Sequence, residues 1–313
     1  MKHRTVGSSG LRVSRLGLGT GEWGRGVDGD DAAAQVSAFV DAGGTLVDTS
    51  AAYGDGRALR VLAELLDDVV PREDVVLSVD AGVCAPTDSG RWSVDCSRRS
   101  LLRELDRTLR DLGTDHVDLW SVGAWDPHTP LDEVAATLEH AVSSGRVRYA
   151  GVRGFTAWQL ATVAAGTTTA VTPVAAQAEY SLLSRRIEDD LLPAAEFHGV
   201  GVIAVSALAG GVLTGKYRDG VPADSRGADD QRMRALLPFL GDDGAKVVEA
   251  VITAADGLGT SPLAVAVAWA RDRPGISSVV VGTRDIGQLT GVLAAEDIEL
   301  PPAITSALDD VSS

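Results

Sequence analysis

Eight times along the chain a short, almost wholly apolar run gives way to a longer stretch with helical periodicity. The apolar runs fall at residues 16–18, 45–48, 75–79, 117–121, 149–152, 174–177, 201–205 and 276–281, each too short for a helix and most rich in Val or Ile. Near-continuous apolarity is what a strand needs when both of its faces are covered. Between them, residues 31–42 open on acidic side chains and stop before Gly43-Gly44. Residues 97–112 carry Leu101, Leu102, Leu105, Leu109 and Leu112 at helical spacing ahead of Gly113. Residues 131–144 and 187–197 end in the same way, at Gly145 and at His198-Gly199. This alternation implies a parallel (β/α)8 TIM barrel of the α/β class, one domain over residues 1–313. The competing doubly wound sheet calls for G-x-G-x-x-G behind its first strand, and Gly17-Leu18-Gly19-Thr20-Gly21 lacks that spacing.

Additions to the eight units are also legible. Val6-Gly7-Ser8-Ser9-Gly10-Leu11-Arg12-Val13 reads as an N-terminal β-hairpin. Extra C-terminal helices are expected, with 246–258 preceding 262–272. Residues 217–244 form a long, charged, Gly/Asp-rich stretch, the pattern of a lid or of a disordered loop.

A length of 313 residues with 45% hydrophobic side chains can bury a large core. The net charge of -16 argues against nucleic acid or an anionic membrane as partner, since both select for basic surface. No run of 18 apolar residues occurs. Met1-Lys2-His3-Arg4-Thr5 leads into structured sequence without an apolar signal core, and Cys84 and Cys96 suit a reducing compartment as inert thiols. The expectation is a cytoplasmic protein with a small-molecule ligand and no metal site. Lysine occurs only at Lys2, Lys216 and Lys246.

Barrel chemistry collects at the C-terminal ends of the strands, and those ends carry distinctive strings. One is Gly43-Gly44-Thr45-Leu46-Val47-Asp48-Thr49-Ser50-Ala51-Ala52-Tyr53-Gly54. Others are Asp115-His116-Val117-Asp118-Leu119-Trp120, Gln177-Ala178-Glu179-Tyr180-Ser181-Leu182-Leu183, and Leu208-Ala209-Gly210-Gly211-Val212-Leu213-Thr214-Gly215-Lys216-Tyr217. Val281-Gly282-Thr283-Arg284, followed by Gln288-Leu289, completes the set. On these strings, from about Arg4 to Leu300, the chain resembles the aldo-keto reductases. The resemblance implies NADP(H)-dependent reduction of aldehydes and ketones, in which hydride goes to the carbonyl carbon and a tyrosine protonates the oxygen. Free tyrosine has a pKa of about 10, so a lysine held by an aspartate lowers it while a histidine orients the substrate.

Asp48 and Tyr53 stand at the family's catalytic Asp and Tyr. The lysine position is Asp80, and no register slip restores it because no lysine lies between Lys2 and Lys216. The histidine position is Gly123; His128, five residues on, reads as a solvated loop residue. Two unit charges at about 4 Å interact by roughly 4 kcal/mol at an effective dielectric of 20. An acid in place of a cation is therefore expected to drive the Tyr53 pKa up and to leave Asp48 and Asp80 as close carboxylates, one of them protonated.

By the same resemblance Gln177 contacts the nicotinamide amide, Ser206, Leu208, Gly210 and Lys216 cradle the pyrophosphate, and Gly282, Arg284 and Gln288 hold the 2′-phosphate end. Departures gather at the nicotinamide end. Arg153-Gly154 replaces a Ser-Asn pair, Val205 replaces a stacking aromatic, and Val292 replaces a polar contact to adenine. Arg153 is expected in the barrel mouth, paired with Asp48 or Asp80 in space a nicotinamide takes. Trp23, Trp92 and Trp125 fall in loops able to line the mouth, with core packing the alternative for Trp23.

Three readings stay open: an NADP(H)-linked oxidoreductase with weak or absent classical carbonyl reduction, a non-catalytic barrel that binds a ligand, nucleotide or partner, and an enzyme using Asp48 and Asp80 as an acid–base pair.

Overall fold

The computed structural model describes every residue except 85–91 and 168–170. Eight parallel strands close into a barrel: β1 Leu16–Gly19, β2 Leu46–Ser50, β3 Val76–Ala81, β4 Val117–Val122, β5 Val147–Arg153, β6 Ala175–Glu179, β7 Gly201–Val205 and β8 Ile276–Gly282. They follow one another around the barrel in chain order, and β8 returns to β1 through Val281↔Leu18 and Gly282↔Gly19. The apolar runs of the sequence locate all eight, with no end displaced by more than two residues. The displacement is mostly outward, because polar residues such as Ser50, Asp80 and Arg153 continue the hydrogen-bonded ladder where the apolar pattern has ended.

Helices α1 Gly29–Asp41, α2 Arg57–Leu65, α3 Arg98–Leu112, α4 Leu131–Ser143, α5 Ala157–Gly166 and α6 Leu191–His198 cover the outer face of the first six strands. Their stops are chemical. Asp28 and Ser97 cap α1 and α3 by accepting from Asp31 and Ser100 backbone N–H groups, and Gly113 and Gly199 take the left-handed conformation after α3 and α6. The start expected at residue 187 moves to Leu191, since 186–188 make only a 3-10 turn and Asp190 supplies the cap. Residues 217–244 are not one open loop: they hold a short helix, α7 Asp230–Leu236, flanked by 3-10 turns. Then α8 Asp242–Leu258, four residues longer at its start than its apolar pattern, leads to α9 Pro262–Arg271, α10 Ile286–Ala294 and α11 Pro302–Val311. Among the described residues no single helix is long and apolar enough to cross a membrane.

The N-terminal hairpin forms as the Gly/Ser turn implies, His3–Thr5 pairing antiparallel with Arg12–Ser14. Val6, Leu11 and Val13 pack into the barrel interior against Leu46, Leu119, Ile203 and Val280, so the hairpin plugs the N-terminal end and leaves the opposite end open. The interior is narrow at β1: a Cβ on Gly17 would lie 2.8 Å from Val280 Cγ2 and 3.1 Å from Leu46 Cδ2. Glycine there is a volume requirement of the closed barrel. Gly17→Ala is expected to lower stability by about 1–3 kcal/mol, the range for overpacking a filled core, read as a lower urea midpoint with an unchanged slope.

Candidate active site

Asp48, Asp80 and Arg153 reach the open mouth from β2, β3 and β5, and Tyr53 from the turn after β2. Asp48 is opposite Ser78 of β3, whose hydroxyl donates to Asp48 Oδ1 at 2.9 Å. With 3% of its surface exposed, Asp48 has its pKa pushed up to about 6, burial being the main cause and the Arg153 guanidinium opposing it. Immediately after Tyr53 the chain turns sharply through Gly54, Asp55 and Gly56, all at positive φ (59°, 58° and 79°). Glycine takes that conformation freely, whereas Asp55 adopts it at a cost of order 1–3 kcal/mol. The turn sets the tyrosine ring over the mouth beside Gly21.

Arg153 does enter the mouth, and its partner is Asp80. Its Nη1 donates to Asp80 Oδ2 at 2.7 Å, while Nη2 donates to the Tyr53 hydroxyl oxygen at 2.9 Å. The guanidinium carbon lies 5.8 Å from the Tyr53 ring centroid. The pairing expected from the sequence forms, and of the two carboxylates it is Asp80 that takes the guanidinium. The Tyr53 phenol is raised above its ordinary pKa, as expected, but the leading cause is burial, followed by Asp48; Asp80 contributes less, and Arg153 pulls the other way. Burial opposes the charge on Arg153, and the Tyr53 oxygen, Asp80 and Asp48 together outweigh it, so the arginine stays protonated. Gly123 sits at the end of β4, and a Cβ there would lie 3.0 Å from Val83 Cγ2 and 3.1 Å from the Ala81 carbonyl. His128 is exposed on its loop, its backbone N–H bound to Asp126 Oδ1 at 2.9 Å.

A groove of about 410 Å³ runs from Asp48, Tyr53 and Arg153 across β7 and β8 to Arg284 and Gln288. Ser206, Leu208, Gly210, Lys216 and Gly282 line it between those ends, so seven of the eight residues assigned to a cofactor share one cleft. The eighth, Gln177, is buried beneath the mouth, 4% exposed, its side chain near enough to Asp48 to help hold that carboxyl's pKa down. The loop after β7 is strained where it borders the groove, with Ser206 and Ala209 at φ 59° and 47°. At Gly210 a Cβ would collide with Leu236 of α7.

The segment from 217 to 244 lies over this groove. Glu22, 7% exposed in the loop after β1, forms an ion pair with Arg226 Nη2 at 3.2 Å and accepts from Arg232 Nη1 at 3.1 Å. Arg284 reaches across to the Asp224 carbonyl. These ties, and Ser78 beneath Asp48, were not anticipated from the sequence. Ser78 carried a usable signal, lying two residues before Asp80 on the same strand face; Glu22 carried none. Of the tryptophans expected at the mouth, Trp23 is wholly buried in the core. Trp92 is about half exposed, and Trp125 packs edge-on against Phe155 and Trp158. None of the three lines the groove.

Fold and site together define a class. The profile described as "Aldo/keto reductase family" matches residues 15–313, and the chain belongs to that family. It is 32% identical to a probable voltage-gated potassium channel subunit beta of Oryza sativa subsp. japonica over 100% of this chain and 96% of the relative. It is also 32% identical to the uncharacterized oxidoreductase YrpG of Bacillus subtilis, over 99% and 96% of the two chains. A third relative, the aldo-keto reductase YhdN of Bacillus subtilis, is 27% identical over 92% of this chain and 87% of its own.

The raised Asp48 pKa has a thermodynamic sign. Folded protein keeps the Asp48 proton up to about pH 6 while the unfolded chain releases it near 3.8. Stability attributable to this group therefore falls as pH rises through that window. Asp48→Asn is expected to remove that slope and to gain stability over the parent of about 2–3 kcal/mol at pH 7.5 but little at pH 3.5, measured by urea denaturation at both values.

Proposed function

We propose that this chain is an NADP(H)-linked oxidoreductase of the aldo-keto reductase type that reduces carbonyl compounds slowly. The observation that carries the reading is the single groove joining Tyr53 and Asp48 at the mouth to Arg284 and Gln288 at the rim. Its donor set suits the cofactor. The buried Gln177 amide beside Asp48 is a donor of the kind a carboxamide oxygen accepts from. Gly210 and Gly211 bring backbone close to whatever lies along the loop, and Lys216, Arg226 and Arg284 supply cations along the groove. Gln288 steadies Arg284, its side-chain oxygen accepting the Arg284 backbone N–H at 3.1 Å.

A bound dihydronicotinamide supplies hydride. This chain's part is the proton. Because Arg153 donates to the Tyr53 oxygen, the phenol's own hydrogen remains available for a substrate carbonyl oxygen. A phenol raised above its ordinary range is a poor acid at neutral pH, and Gly123 offers no side chain to orient that oxygen. Both features point to low kcat. A second reading, a barrel retained for ligand or partner binding, is favoured by Val205 lining the groove where the family stacks an aromatic, and by relatives named as channel subunits.

Titration with NADPH and NADP⁺, followed by protein fluorescence and thermal shift, and then assay with 4-nitrobenzaldehyde separates the two. Binding with turnover supports the reductase, binding without turnover supports the second reading, and absence of binding removes the nicotinamide cofactor and with it the reductase. Arg284→Ala is expected to weaken NADPH binding about 10–100-fold while leaving NADH little changed, as loss of one charge-assisted phosphate contact implies.

A further inference from the structure

We propose that Arg153 is the catalytic cation of this site, approaching Tyr53 from β5 and held there by Asp80 on β3. The proposal deepens the reductase reading and rests on it. A phenol that gives up its proton needs a positive charge at its oxygen, and among the described residues Arg153 is the one cation hydrogen-bonded to Tyr53, at 2.9 Å. Its second arm is fixed by Asp80 at 2.7 Å, and Asp80 is itself 7% exposed. The two strands are not neighbours: β4 lies between them. Arginine is long enough to cross that gap, and the crossing is clear because small residues face it. Asp80 is level with Ser121 on β4, Ser121 is level with Gly151 on β5, and Gly123 follows the end of β4 at Val122. The absence of a histidine at 123 and the presence of arginine at 153 thus belong to one rearrangement.

The planar fork matters as much as the charge. Two nitrogens of one guanidinium bond two different groups, a geometry an ammonium on a flexible stem does not impose. In the step assigned to it, the Tyr53 O–H bond breaks and the proton passes to the carbonyl oxygen of an aldehyde or ketone. The negative charge left on the phenolate oxygen is met by Nη2, and water returns the proton after the alcohol leaves. Arg153 neither gains nor loses a proton. Asp80 is a positioning residue, touching Arg153 and not the reacting atoms.

The test has an equilibrium arm and a kinetic arm. Carboxyl 13C NMR on the cofactor-free protein follows Asp48, whose midpoint near 6 is held down by Arg153. Arg153→Met is expected to move that midpoint up by about one unit or more, and the double variant Asp80→Lys with Arg153→Ser, which returns a cation from β3, to bring it back. An Asp48 midpoint indifferent to Arg153→Met overturns the proposal. In the kinetic arm, Arg153→Met lowers kcat for NADPH-dependent reduction about 100-fold with KM nearly constant, Arg153→Lys lowers it less, and the double variant recovers most of it. Unchanged kcat in Arg153→Met also overturns the proposal. Should Arg153→Met fail to fold, Arg153→Lys and Asp80→Asn carry the same comparison. Wild-type protein that binds NADPH without turnover overturns the reductase reading, and the Asp48 midpoint then decides the charge arrangement alone.

Discussion

The mouth of this barrel is organised by one guanidinium. Remove Arg153 and three groups lose their balance together: Asp80 becomes a buried carboxylate without a partner, Asp48 loses the charge that opposes its protonation, and the Tyr53 oxygen loses its donor. A buried carboxylate stripped of its cation is among the more destabilising changes available to a protein, at about 3–5 kcal/mol. Arg153 is therefore a condition of the local structure as well as a feature of it. This is why the site keeps one geometry although the residues usual to the family have changed.

That dependence explains how far the sequence could be read. The barrel was legible because each strand is apolar on both faces and each helix carries its own stop, and a periodicity of that kind survives without any tertiary information. Asp48 and Tyr53 were legible because their whole local string is preserved. The exchange of lysine for Asp80 was legible because lysine is so scarce. What the sequence left open was which of the two acids Arg153 takes and that its other arm reaches Tyr53. Its bond to Asp80 spans 73 positions and an intervening strand, its bond to Tyr53 spans 100, and neither separation leaves a trace in spacing or composition. Reasoning along one strand at a time found a cation replaced by an acid and placed Arg153 beside Asp48 or Asp80 without deciding between them. Across three strands, the cation has arrived from the other side.

The lid presents the same contrast. Its length and charge were visible, but its internal helix was not, because α7 spans only 7 residues and owes its start to Asp229, which accepts from the Gln231 and Arg232 N–H groups. Nor did any pattern link Glu22 to Arg226 and Arg232, 204 and 210 positions away along the chain. Glu22 is nearly buried, so these bonds are less screened than surface pairs and tie the lid to the rim at a definite place.

The two ends of the groove follow different physical rules. On the proposed reading, phosphate is held by charge and by backbone approach, both tolerant of small displacements, so Arg284, Lys216 and the glycines at 210 and 211 would serve even when their neighbours change. Proton transfer tolerates far less: a donor misplaced by about 1 Å can lose about 100-fold in rate. A lineage can therefore keep the first while revising the second. Arg153 with Asp80 is such a revision in one respect only: it moves the cation to another strand, the pair summing to zero where a lysine alone carries one positive charge, and it restores no hydroxyl or imidazole to orient a substrate. On the proposed reductase reading, the acidity of Tyr53 and the placement of the carbonyl limit the chemistry more than attraction for an anionic ligand does.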